Sequence, residues 1–226
     1  LSPRGQHQWW TVSGGSIEYV RRLSARLAKL GVACRTRCAV RSVRRDAAGV
    51  TVLAEGGVQE RFDEVVLACH SDQALRILAD AAPEETAALS AIAYRPNRAI
   101  LHADPRQMPR RRACWSSWVY QAERTGDDAA VGVTYWMNRL QNIPDSDPLF
   151  VTLNPQRPID DALIYDDTTF AHPIFDHAAL RAQDAIAAMN GTRHTWFAGA
   201  WLRFGFHEDG FASAVRVARA MERMPA

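Results

Sequence analysis

Near the carboxyl end runs "TWFAGAWLRFGFHEDGFASAVRVARAM", Thr195–Met221: an apolar strand, a glycine turn and a helix start in immediate succession. No other stretch limits the fold as much. A strand that hands its backbone directly to a helix closes an α/β chain, and the helix N-terminus it builds carries unpaired amides and partial positive charge. Anions and cofactors settle at such ends. The same order of residues also serves simply to close a sheet with one last helix, so the rest of the chain has to decide between the two uses.

"VSGGSIEYVRRLSARLAKLG" predicts a helix. The paired glycines turn the chain, Ser16 stands as N-cap, Ile17, Val20, Leu23, Leu27 and Leu30 recur on one face, and Gly31 stops it. Strand segments follow as far as "EVVLAC", divided by turn signals at Asp46-Ala47-Ala48-Gly49 and Gly56-Gly57. The unbroken apolar run of "EVVLAC" predicts a strand buried on both faces. Two short helices are expected over Ser71–Ala91, separated at Pro83. From Tyr94 the segments "RAILHAD", "ACWSSWVYQ", "AAVGVTYWMNRLQ" and "LFVTLNP" predict a β sheet of their own. Its aromatics Trp115, Trp118, Tyr120, Tyr135 and Trp136 are expected in the core or lining a pocket. "HAALRAQDAIAAMNG" returns to helix before the closing strand. In the final helix Phe211, Val215, Ala218 and Met221 are expected to form the buried stripe, with Ala212, Ser213 and Ala214 small enough for close packing. The order is α/β, then a β-rich insert, then α/β again, and 226 residues suffice for one large or two small cores.

Several function classes drop out. A net charge of +2, with acids and bases interspersed, gives no field for nucleic acid. Cys34, Cys38, Cys69 and Cys114 show neither C-x-x-C spacing nor a nearby His pair, so free thiols in a reducing, cytoplasmic setting are expected and a zinc site is not. No apolar run is long enough to span a bilayer, and "LSPRGQHQWW" lacks the charged start and apolar core of a signal peptide. His102, His172, His194 and His207 lack metal-ligand spacing. His70, Ser71 and Asp72 are adjacent, which does not make a triad without a G-x-S-x-G elbow, and they suit a strand end and a helix cap. The three arginines of "PRRRA", Pro109 to Ala113, suit a solvated rim or internal ion pairs, or the attraction of an anionic substrate or lipid headgroup. There is no G-x-G-x-x-G, and Gly14-Gly15 cannot replace it because no long strand precedes them and the third glycine is missing.

"FAGAWLRFGFHEDGFASAVRVARAM" resembles the closing FAD motif of the flavin-containing amine oxidoreductase superfamily. "GFHEDG", "VVLACHSDQAL", "RAILHAD", "MPRRRACWSSWVY", "VTYWMNRLQNI" and "FVTLNP" are similar, in the same order, to a bacterial group of predicted NAD/FAD-binding proteins. The resemblance runs through nearly the whole chain. It implies an α/β fold in which a partial, Rossmann-like FAD/NAD(P)-binding domain is interrupted by a mainly antiparallel β substrate domain. Residues 1–93 and 190–226 would belong to the first and 94–189 to the second. Members begin with a Rossmann strand-turn-helix that this chain lacks, so the resemblance implies the carboxyl-terminal portion of a flavoprotein.

The same resemblance implies a set of cofactor residues. Gly199 allows close approach at the strand end and Gly205 makes the sharp turn. The amides of His207, Glu208 and Asp209 face the flavin or its ribityl-diphosphate chain, although both acids also suit ordinary capping. Phe206 lies where amine oxidases place an aromatic beside the flavin ring, and packing alone would account for it equally well. Val40 matches a position whose backbone contacts the adenine end. No cysteine shortly precedes the closing motif, where covalent-flavin members attach their cofactor, so non-covalent FAD is expected. The implied activity is hydride transfer from a substrate C–N or C–C bond to flavin, with a small-molecule or lipid acyl substrate and no catalytic residue identified. The alternative is a non-catalytic remnant or isolated substrate-binding module.

Overall fold

The computed structural model describes residues 10–125 and 128–224. Most of the amino-terminal stretch tested for a signal peptide lies outside them. In chain order the elements begin with α1 (Ser16–Lys29), β1 (Val40–Asp46), β2 (Gly49–Ala54), β3 (Gln59–Phe62) and β4 (Val65–Leu67). Then come α2 (Ser71–Ile77), α3 (Pro83–Ser90), β5 (Tyr94–His102), β6 (Trp118–Thr125), β7 (Asp128–Trp136) and α4 (Met137–Gln141). β8 (Phe150–Leu153), β9 (Ile164–Pro173), α5 (His177–Met189), β10 (Thr195–Phe197) and α6 (His207–Met221) complete the described chain. The elements divide into two units. One comprises the described residues through Cys34 together with Pro96–Ala171, and the other Arg35–Arg95 with the described residues from His172 onward.

The first unit holds α1 and a five-stranded sheet ordered β6-β7-β8-β5-β9, in which β6-β7, β7-β8 and β5-β8 pair antiparallel. The cap of α1 lies one residue before the expected one: Gly15 is the N-cap and Ser16 the first helical residue, with Gly14 and Gly15 both at positive φ. Its end is as expected. Gly31, at φ +76, lets its own amide and that of Val32 reach back to the carbonyls of Ala28 and Leu27, both within 3.1 Å. The helix buries no residue, however, and Ile17, Val20 and Leu23 are all about half exposed, so the periodicity located the helix but not a partner for its stripe. In the sheet, Phe150 is fully buried, with Trp115 edge-on to it and to Trp136. Trp118 and Tyr120, expected in the core or lining a pocket, are exposed, and Tyr120 lines a depression. They alternate with the half-buried Val119 and Gln121 along β6, and the period of two puts them on the open face.

Beneath that sheet sits a polar chain. The Asp104 amide donates to His102 Nδ1 (3.1 Å), which fixes the imidazole proton on Nε2; Nε2 then donates to Thr152 Oγ1 (2.7 Å), leaving that hydroxyl to donate to Thr134 Oγ1 (2.9 Å). His102, Asp104, Thr134 and Thr152 are all buried. Burial pushes His102 down to about 4, and nearby Asp104 offsets this only in part. Hydrogen bonds from the Arg106 guanidinium lead the causes that hold Asp104 down at about 2.

The second unit carries the main apolar cluster, built on Val43, Val50, Leu67, Leu78, Leu89, Ile186, Phe197 and Trp201. β1, β2 and β3 form an antiparallel meander, and β4 pairs with β10 in parallel. β4 was expected to be buried on both faces, yet Val66 is 41% exposed, in a sheet that has two strands among the described residues. Pro83 separates the two helices as expected, entering α3 at its first position. An ion cluster ties these pieces together. Arg45 donates to both Glu85 oxygens (2.6 and 2.8 Å), to Asp80 (3.1 Å) and to Thr195 Oγ1 (3.1 Å), while Arg193 reaches Asp80 and Glu85 from the surface side. Burial pushes the Glu85 carboxyl up, but the Arg45 fork and the Ala82 amide outweigh it and hold it below its ordinary range.

Among the described residues no helix is long and apolar enough to cross a membrane, and no cluster of three or more His, Cys, Asp or Glu is placed to hold a metal ion.

Candidate functional site

The closing segment folds as β10, a single 3-10 turn at Ala200–Leu202, and α6. β10 is buried at all three residues because it packs between the core and α6. The connection is short, and polar contacts from four side chains hold it. The Trp201 indole donates to the Cys69 carbonyl (2.9 Å), and Gln183 on α5 donates to the carbonyls of Trp201 and Arg203 (2.9 and 2.7 Å). Ser213 on α6 accepts from the Gly199 amide (2.9 Å) while donating to the Gly210 carbonyl (2.6 Å). Asp209 accepts from the amides of Phe204 and Phe206 (3.3 and 3.1 Å).

Each expected site residue has a definite place. Gly199 is extended, and a Cβ there would run into the indole of nearby Trp201, so the glycine makes room for Trp201. Gly205 takes φ +88 with the Phe175 ring 3.3 Å from where a Cβ would stand; an L side chain is disfavoured there on backbone grounds alone. Phe206 is the N-cap of α6 and 63% exposed, with Phe204 and Phe211 likewise exposed around the helix start. His207, Glu208 and Asp209 form the first turn, in which the Asp209 amide donates to the carbonyl of the N-cap Phe206 (3.0 Å). Their side chains divide: His207 and Glu208 are exposed, while Asp209 is buried and occupied with capping the loop. These six residues lie together in one stretch. Val40 lies apart from that stretch in sequence, opening β1 opposite Ala54 at 40% exposure.

The buried face of α6 differs from the expected one. Asp209, Ser213 and Val217 are buried, whereas Phe211 is 56% exposed and Ala218 is exposed as well. Ranking residues by hydrophobicity puts Phe211 inside. The loop instead demands the carboxylate and hydroxyl on its own side, and that rotates the helix. Trp201, Gln183 and Ser213, which hold the loop, were missed for this reason. Only the apolar size of Trp201 and the small size of Ser213 were visible signals, and nothing in the sequence marks Gln183.

The turn brings together a glycine corner, exposed phenyl rings and the positive end of a fifteen-residue helix. Asp209 is no obstacle to an anion, since two amides already engage its carboxylate and the Arg203 guanidinium lies 3.9 Å away.

Residues 3–148 match the family model of flavin containing amine oxidoreductases. Among solved structures, a CLA-producing fatty acid isomerase from P. acnes is similar at TM-score 0.64 and 18% identity over 93% of this chain. A triple mutant of putrescine oxidase redesigned in its cofactor binding is similar at TM-score 0.62 and 14% identity over 93% of the chain. Reduced UDP-galactopyranose mutase follows at TM-score 0.62 and 13% identity over 94%. The chain spans about half the length of these structures, 53% in each case. No curated protein matches the sequence.

Proposed function

The chain belongs to the flavin-containing amine oxidoreductase family, and from that premise we propose that it is part of an FAD-dependent oxidoreductase whose flavin meets the Gly199–Asp209 turn. One observation carries the reading: the family model covers residues 3–148, well over half of the sequence. The placement at the turn, which lies outside the matched residues, is part of the proposal. In this reading Gly205 lets the backbone come close to the cofactor, the first-turn amides of His207, Glu208 and Asp209 face its negative portion, and Phe206 lies beside its ring system. Val40 approaches the adenine end through its backbone. Trp201, Gln183, Ser213 and Asp209 hold the turn in shape, so that little order is lost when a ligand arrives.

Bound flavin supplies hydride acceptance from a substrate C–N or C–C bond, and the protein supplies orientation and electrostatics. We infer non-covalent FAD in a Rossmann-like setting, because none of the four cysteines lies in the closing segment and the Cys69 thiol is pushed up by burial. Free thiols also suit a cytoplasmic location. The similar structures include a fatty acid isomerase and a putrescine oxidase, so the fold leaves the substrate open between small molecules and lipid acyl chains.

The test is the visible absorption of the chain, and of a version extended upstream, after adding FAD and desalting. Flavin bands in either preparation, abolished by Gly205→Trp, support the reading. No flavin retained by either preparation overturns it in favour of a substrate-binding module, and bands unchanged in Gly205→Trp refute the placement.

A further inference from the structure

The fold divides the three adjacent arginines of residues 110–112 between different tasks. Arg112 lies over the rings of Trp115 (4.8 Å) and Trp136 (5.2 Å) and pairs with Asp145 at 2.5 Å. Arg111 is exposed and its backbone caps a short 3-10 turn. Arg110 has no hydrogen bond or ion pair among the described residues, and it lines two depressions of about 480 and 440 Å³ that share Met108, Pro109, Arg110 and Arg157. These sizes suit small organic ligands.

The lining carries basic groups and is apolar beneath. Arg110 and Arg157 stand in both depressions, Arg106 in the second is paired with Asp104 and Asp160, and no Asp or Glu is in either lining. Met108, only 3% exposed, lies at the shared floor, with Trp115 on one side and Val119 on the other. The walls are fixed by hydrogen bonds between chain segments. Gln107, fully buried, donates to the carbonyls of Arg157 and Pro158 (both 3.2 Å) and accepts at its own backbone carbonyl from Gln121 of β6. The Trp115 indole donates to the Pro109 carbonyl (2.7 Å). Three chain segments, 105–110, 119–121 and 157–158, are thereby stapled around one concavity.

A solvated arginine rim needs no apolar floor and no staples, and this place has both. We propose that the two depressions form one binding site for a small carboxylate bearing an apolar chain or ring. The carboxylate sits on the Arg110 guanidinium, whose planar fork matches two carboxylate oxygens, and the apolar tail runs along Met108, Trp115 and Val119. The site lies wholly within the first unit and does not rest on the flavin reading: binding is measured without flavin, so either idea fails without the other.

The experiment titrates octanoate, octanol and inorganic phosphate into the flavin-free chain, following the Met108 methyl resonance by NMR alongside tryptophan fluorescence. Octanoate is expected to saturate and to shift Met108, with octanol and phosphate each at least about tenfold weaker, as befits a charge-assisted contact over an apolar floor. Arg110→Gln should weaken octanoate about tenfold or more. Arg111→Gln, which removes the same charge one residue outside the depressions, should leave its affinity unchanged. The proposal is overturned if octanol or phosphate binds as well as octanoate, if the two variants behave alike, or if octanoate shows no saturable shift at Met108.

Discussion

Lowering the pH from 7 to 4 should weaken the β-rich unit through one imidazole. In the native state His102 accepts a hydrogen bond at Nδ1 from the Asp104 amide and donates from Nε2 to Thr152, so a second proton would have to sit on Nδ1 against an N–H donor. Its position, pushed down to about 4, lies below the value of about 6.5 of an unfolded histidine. Between those two values the unfolded chain binds the proton and the native chain does not, so stability falls as pH drops through the window and levels off below it. The gap corresponds to about 3 kcal/mol, lost at up to about 1.4 kcal/mol per pH unit. Urea unfolding followed at pH 7, 6, 5 and 4 measures this, with His102→Gln as reference because the substituted amide keeps a donor for Thr152 and does not titrate. Wild type should lose about 3 kcal/mol more than the variant across the window. Parallel pH dependences, or a His102 ring resonance titrating near the ordinary value of about 6.5, would refute the argument. Asp104 is separate: held down at about 2, it contributes stability that is lost only below the ordinary carboxylate range, as pH falls through about 2.

Other substitutions probe the second unit. Glu85→Gln leaves the buried Arg45 guanidinium without its fork and should cost about 3–5 kcal/mol in urea unfolding, whereas Arg45→Met together with Glu85→Leu should recover much of that loss. Gly205→Ala places an L residue at φ +88 and should cost about 1–2 kcal/mol, seen as a lower unfolding midpoint with an unchanged slope. Asp209→Ala uncaps the Phe204 and Phe206 amides and should cost about 1–2 kcal/mol while speeding amide hydrogen exchange at both residues.

What the sequence disclosed and what it hid follow a physical line. Local signals were legible. Gly31 stops α1 because its amide geometry needs a positive φ, Pro83 divides α2 from α3 because it suits a helix start, and the glycine turn before His207 opens α6. Contacts between residues distant in sequence were not. His102 is paired with Thr152, fifty positions away, and Arg45 with Thr195, one hundred and fifty away, so neither residue type nor spacing could separate them from ordinary surface histidine and arginine. Within α6 the apolar pattern misled because Asp209 and Ser213 are buried by their hydrogen bonds to the preceding loop, which displaces Phe211 to the surface. At the candidate site, the turn and its glycines were therefore readable, while Gln183 and Trp201, which give the turn its shape, became apparent only with the fold.

The most direct measurement is the map of backbone amide shifts on adding FAD to isotopically labelled protein, at whichever chain length retains the flavin. The account predicts that the largest changes cluster at Gly199 and from Gly205 to Asp209, with a smaller response at Val40. Tight flavin binding that leaves Gly205 to Asp209 unmoved would contradict it.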